Sequence, residues 1–169
     1  MRKKYTMNEA ANVAKKAATD ITNFLKTFEE TIDVINVEDD EQYRTKDIDL
    51  LWIRNKNGVK KTTTIEIKGD RYHYTGNYFL ETISNKSKGT SGCFMYTEAD
   101  YIFYYFVDER ELHVLPMPKT REWFINNMDN FKERETSTPI GNDYYITVGR
   151  LVNRNYLQRH VQGVKIKRI

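Results

Sequence analysis

With one cysteine, Cys93, the chain of 169 residues cannot form an internal disulfide, and its three scattered histidines lack the spacing of a structural zinc cluster. A chain without a disulfide framework suits a reducing interior, so a cytoplasmic (intracellular) location is expected. Three prolines and eight glycines exclude collagen-like and low-complexity architectures. The longest apolar run, Tyr101 to Val107, has seven residues, against about 20 for a membrane-spanning helix, so no membrane partner is expected. The basic start Met1-Arg2-Lys3-Lys4 leads into Tyr5-Thr6-Met7-Asn8-Glu9 instead of an apolar segment, which excludes an ordinary secretory signal. No internal repeat and no Pro/Gly/Ser-rich linker divides the sequence, so residues 1–169 are expected to form a single domain.

Charge is abundant and segregated. From Tyr144 to Ile169 there are six basic residues (Arg150, Arg154, Arg159, Lys165, Lys167, Arg168) and no acidic one, although the whole chain carries a net charge of only +3. A basic segment of this kind suits phosphate contacts and equally suits a solvated face. Between Glu29 and Glu41 lie seven acids and no base, a composition that reads as an exposed loop.

Thr6 and Glu9 have capping-box spacing, and Ala14, Ala17, Ala18, Ile21, Phe24, Leu25 and Phe28 recur at three- and four-residue steps, so the spacing predicts a helix to about Glu30. Asp47 to Ile53 and Thr62 to Lys68 read as a hairpin across the turn signal Asn55-Lys56-Asn57-Gly58. A third strand is expected from Tyr78 to Ser84, adjoining the Thr62–Lys68 strand. Tyr101 to Val107 is apolar on both parities, as in a strand buried on both faces. Glu111 to Leu115 reads as its neighbour, Pro118 introduces a helix carrying Trp123, Phe124, Ile125, Met128 and Phe131, and Tyr144 to Val152 is another strand. The expected fold class is α/β, a mixed central β-sheet flanked by helices.

The chemistry concentrates in Asp49 and in Glu66-Ile67-Lys68. Residues two apart on a strand share a face, so Glu66 and Lys68 project together while Ile65 and Ile67 enter the opposite, apolar face. Asp49, on the preceding strand, lies opposite the face of Ile48, Leu50 and Trp52. Two carboxylates and an ammonium crowded on one face must be solvated, paired or bound to a cation. Lys68 bridging Glu66 and Asp49 as a cross-strand pair, worth about 0.2–1 kcal/mol, satisfies them. So does Mg²⁺, with Mn²⁺ as a substitute, held by the hard oxygens of Asp49 and Glu66. Lys68 would then orient the attacking water and stabilise charge on a scissile phosphate.

Asp49, sixteen intervening residues and Glu66-Ile67-Lys68, each at a strand and preceded by a helix, resemble the PD-(D/E)XK nuclease superfamily, the restriction-endonuclease-like fold. Ile48 stands where that motif has proline. The resemblance covers roughly Met7 to Val107 and implies a single nuclease-like domain with a restriction-endonuclease-like core of α-β-β-β-α-β order. It also implies metal-dependent phosphodiester cleavage with Asp49, Glu66 and Lys68 as the catalytic set and the Ile67 backbone carbonyl as a further metal ligand. Members often place a glutamate of the first helix near the metal; Glu9 and Glu29 are the candidates, Glu81 is a third candidate ligand, and Asp47 is expected outside the ligand set or exposed.

Arg71, within the mixed segment Gly69 to Asn77, and Lys86 and Lys88 are candidate substrate contacts. The expected partner is nucleic acid, DNA before RNA. Nicking needs one site, whereas paired cuts imply a homodimer. Two other readings use the same sequence: a nucleic-acid-binding module that does not cleave, and a scaffold or inhibitor protein presenting some of its twelve tyrosines to a protein partner.

Overall fold

The computed structural model describes residues 6–169; the basic start Met1-Arg2-Lys3-Lys4 and Tyr5 lie outside them. The first helix, α1 (Met7–Lys26), begins as its spacing predicts. Thr6 Oγ1 accepts the Glu9 N–H at 3.3 Å, and the Glu9 carboxylate accepts the Thr6 N–H at 2.7 Å. Ala17, Ile21 and Leu25 form its buried stripe. The helix stops at Lys26 rather than near Glu30, because Thr31 Oγ1 donates to the Leu25 carbonyl at 2.7 Å and draws the chain into a strand.

That strand, β1 (Thr31–Asn36), occupies part of the stretch read from sequence as an acidic loop. It lies at a sheet edge with Val34 buried in the core, so Asp33 can face solvent. A short helix α2 (Glu41–Arg44) follows, its Asp40 cap accepting the Gln42 N–H at 2.9 Å. β2 (Leu50–Lys56) and β3 (Val59–Asp70) make the expected hairpin. Asn57 and Gly58 turn it with φ of 53° and 82°, the left-handed pair that a two-residue hairpin loop requires. β2 starts at Leu50, not at Asp47.

Beyond β3 the chain departs from the expected order. β4 (Asn77–Asn85) does not adjoin β3; it belongs to a second sheet with β5 (Thr90–Ser91), β9 (Asp143–Asn153) and β8 (Lys132–Ile140), in the order β5-β4-β9-β8. Through the short helix α3 (Cys93–Tyr96) the chain returns to the first sheet as β6 (Tyr101–Phe106), parallel to β3. β7 (Glu111–Pro116) and β10 (Lys165–Arg168) complete that sheet, ordered β1-β2-β3-β6-β7-β10. Helices α4 (Lys119–Asn127) and α5 (Arg154–His160) complete the fold, which is mixed α/β as expected.

The first sheet is covered on both faces. On one side α1 packs on Leu50, Ile65, Phe103, Tyr105 and Leu112. On the other, Ile102, Tyr104, Phe106 and Leu115 meet Tyr78, Leu80 and Val152 of the second sheet together with Phe124 and Leu157. β6 therefore contributes alternate residues to two cores, which explains its apolar character on both parities. The same alternation directs Ile65 and Ile67 toward α1, and Glu66 and Lys68 belong to the face opposite them, where the second sheet lies. Among the described residues, no helix is long and apolar enough to cross a membrane.

Candidate metal centre

Asp49 is held by its backbone before its side chain is considered. Its N–H donates to the Ile65 carbonyl at 2.9 Å, and its own carbonyl accepts the Val37 N–H at 2.8 Å. This fixes the carboxylate over β3, where Oδ2 accepts the Ile67 N–H at 2.8 Å. Glu66, 7% exposed, lies beside it. Burial, then the charges of Asp49 and Asp47, raise the Glu66 carboxyl well above the usual range. Burial also raises Asp49, outweighing the favourable hydrogen bond from Ile67.

Asp47 lies beside this pair and is half-buried, not exposed. Its φ of 55° is uncommon for a residue with a side chain, though aspartate tolerates it better than most. Tyr96 OH donates to Asp47 Oδ1 at 3.3 Å, while Asp47 Oδ2 and Glu66 Oε2 are buried without a hydrogen-bond partner among the described residues. Burial and the neighbouring Asp49 push the Asp47 carboxyl up to about 6. Cys93, the first residue of α3, completes the group: ligand atoms of Asp47, Glu66 and Cys93 all lie within 4.8 Å of one another. Its thiol is pushed up by burial despite the nearby Lys68.

Lys68 does not bridge Glu66 and Asp49. Its ammonium pairs with the carboxylate of Glu81 on β4, linking the two sheets; the two side chains are 27% and 16% exposed. Burial alone lowers the lysine, but the Glu81 carboxylate overrides it and holds the ammonium charged well past neutral pH. Glu81 thus stands at the site as the counter-ion of Lys68. Glu9 serves the α1 cap, and Glu29 is exposed in the turn after α1, so neither belongs to the Asp47–Glu66–Cys93 group.

The other candidates lie around this centre. Arg71 follows β3 and donates to the Glu9 carbonyl on α1 at 3.4 Å. Lys86 pairs with Glu135 of β8, and Lys88 sits exposed in the turn after β4, its N–H donating to Asn85 Oδ1 at 3.3 Å. Tyr72 and Tyr74, 43% and 81% exposed, offer aromatic faces next to Arg71.

Two inward carboxylate oxygens without partners, and three acids each raised above its ordinary value, fit a divalent cation, which would relieve both penalties together. Asp49 and Glu66 were legible as a pair from strand parity. Asp47 shares that parity with Asp49 and was visible in principle. Cys93 carried no local signal, because only the chain's return from the second sheet brings it to Glu66. No protein-family model matches the chain, and no curated protein or solved structure matches it either.

Proposed function

We propose that the chain is a divalent-metal-dependent nuclease that hydrolyses phosphodiester bonds, with DNA as substrate. The observation that carries this reading is the convergence of Asp47, Asp49 and Glu66, with two buried oxygens unpartnered, beside the charged Lys68. The order α1-β1-β2-β3-α3-β6, with α2 inserted between β1 and β2 and β4 and β5 before α3, supports the resemblance to the PD-(D/E)XK superfamily.

In this reading Asp49 and Glu66, with the Ile67 carbonyl, hold Mg²⁺ or Mn²⁺. When bound, such a cation supplies Lewis-acid activation of water and neutralises phosphoryl charge. The Ile67 N–H fixes one Asp49 oxygen and leaves the other for the ligand set. Lys68, kept protonated by Glu81, donates hydrogen bonds to the scissile phosphate and to the attacking water; it does not serve as the base. Arg71, Lys86 and Lys88 contact the backbone farther along the strand, with the exposed Tyr74 ring for an unpaired base. A cytoplasmic setting and, for paired cuts, a homodimer belong to the same proposal.

The test is cleavage of supercoiled plasmid and branched DNA with Mg²⁺ or Mn²⁺. Asp49→Asn, Glu66→Gln and Lys68→Ala are each expected to reduce the rate by about 100-fold or more, the size of a lost charge-stabilising group. Undiminished cutting by all three would refute the assigned site. One observation favours a second reading, a DNA-binding module that does not cleave: Glu66 is closed from solvent and Lys68 is already engaged by Glu81. That module would bind DNA with a steep salt dependence and no response to divalent cations.

A further inference from the structure

We infer that Asp47, Glu66 and Cys93 form a second donor face of the centre, which takes a thiolate-accepting divalent cation such as Zn²⁺ or Co²⁺ in preference to Mg²⁺. The inference rests on the cation-binding part of the proposed function and not on cleavage of DNA. Glu66 is shared between the two faces. Asp49 and Glu66 offer hard oxygen alone, while Asp47 and Glu66 with Cys93 offer two oxygens and a sulfur.

Three observations support it. The ligand atoms of the three residues lie within 4.8 Å of one another, close enough to converge on one cation. Glu66 is more than nine-tenths buried, and its Oε2 has no partner; Asp47 Oδ2 is likewise buried and unpartnered. The three residues belong to different chain segments, yet their ligand atoms come together. Finally, Asp47 joins this group with φ at 55°, an uncommon backbone conformation for a residue with a side chain.

Donor chemistry decides which cation this face prefers. Sulfur is a poor ligand for Mg²⁺, which demands oxygen and keeps several waters. Borderline cations accept thiolate, carboxylate or both. Binding exchanges a proton for the metal: the S–H bond breaks, a sulfur–metal bond forms, the proton leaves to solvent, and no electrons are transferred. Lys68 lines the same small void as Cys93 and Glu81.

Co²⁺ titration of the full chain tests the inference, because a cobalt–thiolate bond produces a near-ultraviolet charge-transfer band that oxygen ligands do not. The wild type is expected to develop this band, and Zn²⁺ is expected to abolish it by displacement. Cys93→Ser should remove the band and weaken Zn²⁺ binding by about 10- to 100-fold or more. Because Cys93 is the only thiol, its reaction with a thiol reagent gives a second readout on the unaltered protein: Zn²⁺ should protect it and Mg²⁺ should not. Co²⁺ bound without the band, no Co²⁺ or Zn²⁺ binding at all, or equal thiol reactivity with and without Zn²⁺ would overturn the inference. A chain that shows the band and cuts no DNA retains this face and loses the nuclease reading. One that cuts with Mg²⁺ and shows no band does the reverse.

Discussion

At Asp47 the backbone conformation and the ionisation state oppose each other's comfort. Burial and Asp49 raise its carboxyl from 3.8 to about 6. A carboxyl raised in the folded state contributes stability that is present below 3.8 and lost as pH climbs through about 6. His113 has the opposite sign: burial lowers its pKa, so its contribution is present above 6.5 and lost as pH falls. A variant is therefore compared with wild type at each pH, so that the His113 contribution cancels. Asp47→Asn keeps an acceptor for Tyr96 OH and removes the charge. In metal-free buffer it should be more stable than wild type by about 1–3 kcal/mol at pH 8, with the difference nearly gone at pH 4, measured by urea unfolding. A difference independent of pH would show that the carboxyl is not perturbed. Added Mn²⁺ should favour wild type, because a cation that binds only the folded chain stabilises it by mass action.

Among the elements, the closest fit is that of α3 against β4. A Cβ at Gly92 would stand 2.5 Å from the Glu81 carbonyl oxygen and 2.8 Å from the Glu81 Cβ, so glycine lets the residue before Cys93 lie directly on the strand that carries the Lys68 counter-ion. Gly92→Ala is expected to cost about 1–3 kcal/mol by overpacking and to increase the reactivity of the Cys93 thiol, as α3 lifts from β4. A thermal melt and a thiol titration measure both; an unchanged melting temperature would mean that the contact gives way without cost. Elements of this kind differ in how clearly the sequence announces them. The α1 stripe, the Asn57-Gly58 hairpin and the doubly apolar β6 are each specified by a local pattern, and each forms. β1 was hidden because the acids on either side of it signal a loop, and its edge position lets its one acid, Asp33, reach water. β8, rich in charge and threonine, buries little and is defined by pairing with β9. The sheet to which Tyr78–Ser84 belongs cannot be read locally, since strand partners are a property of the whole chain.

Across the whole molecule, the centre sits where the two sheets meet. Glu66 and Lys68 come from the first sheet, Glu81 from the second, and Cys93 from the helix between them. Polar ties hold that junction beside the shared apolar core. Tyr78 OH on β4 donates to His113 Nδ1 at 2.6 Å, and His113 Nε2 donates to Glu111 at 2.6 Å on β7. Tyr104 on β6 donates to Asp70 and accepts the Phe79 N–H. The basic C-terminal stretch serves this architecture as well: Arg150 pairs with Glu133, and Arg154 donates to the His73 carbonyl and lies over the Phe106 ring. Lys165, Lys167 and Arg168 stay exposed on β10. The fold therefore sets Glu66 and its acidic neighbours at the junction of two sheets that are tied to each other. Anomalous diffraction from a crystal soaked in Mn²⁺ tests that arrangement most directly. The account predicts one peak at about 2.0–2.4 Å from a Glu66 oxygen and within ligand reach of Asp49 or Asp47. A fully occupied peak elsewhere, or none at a concentration that saturates other manganese sites, would contradict it.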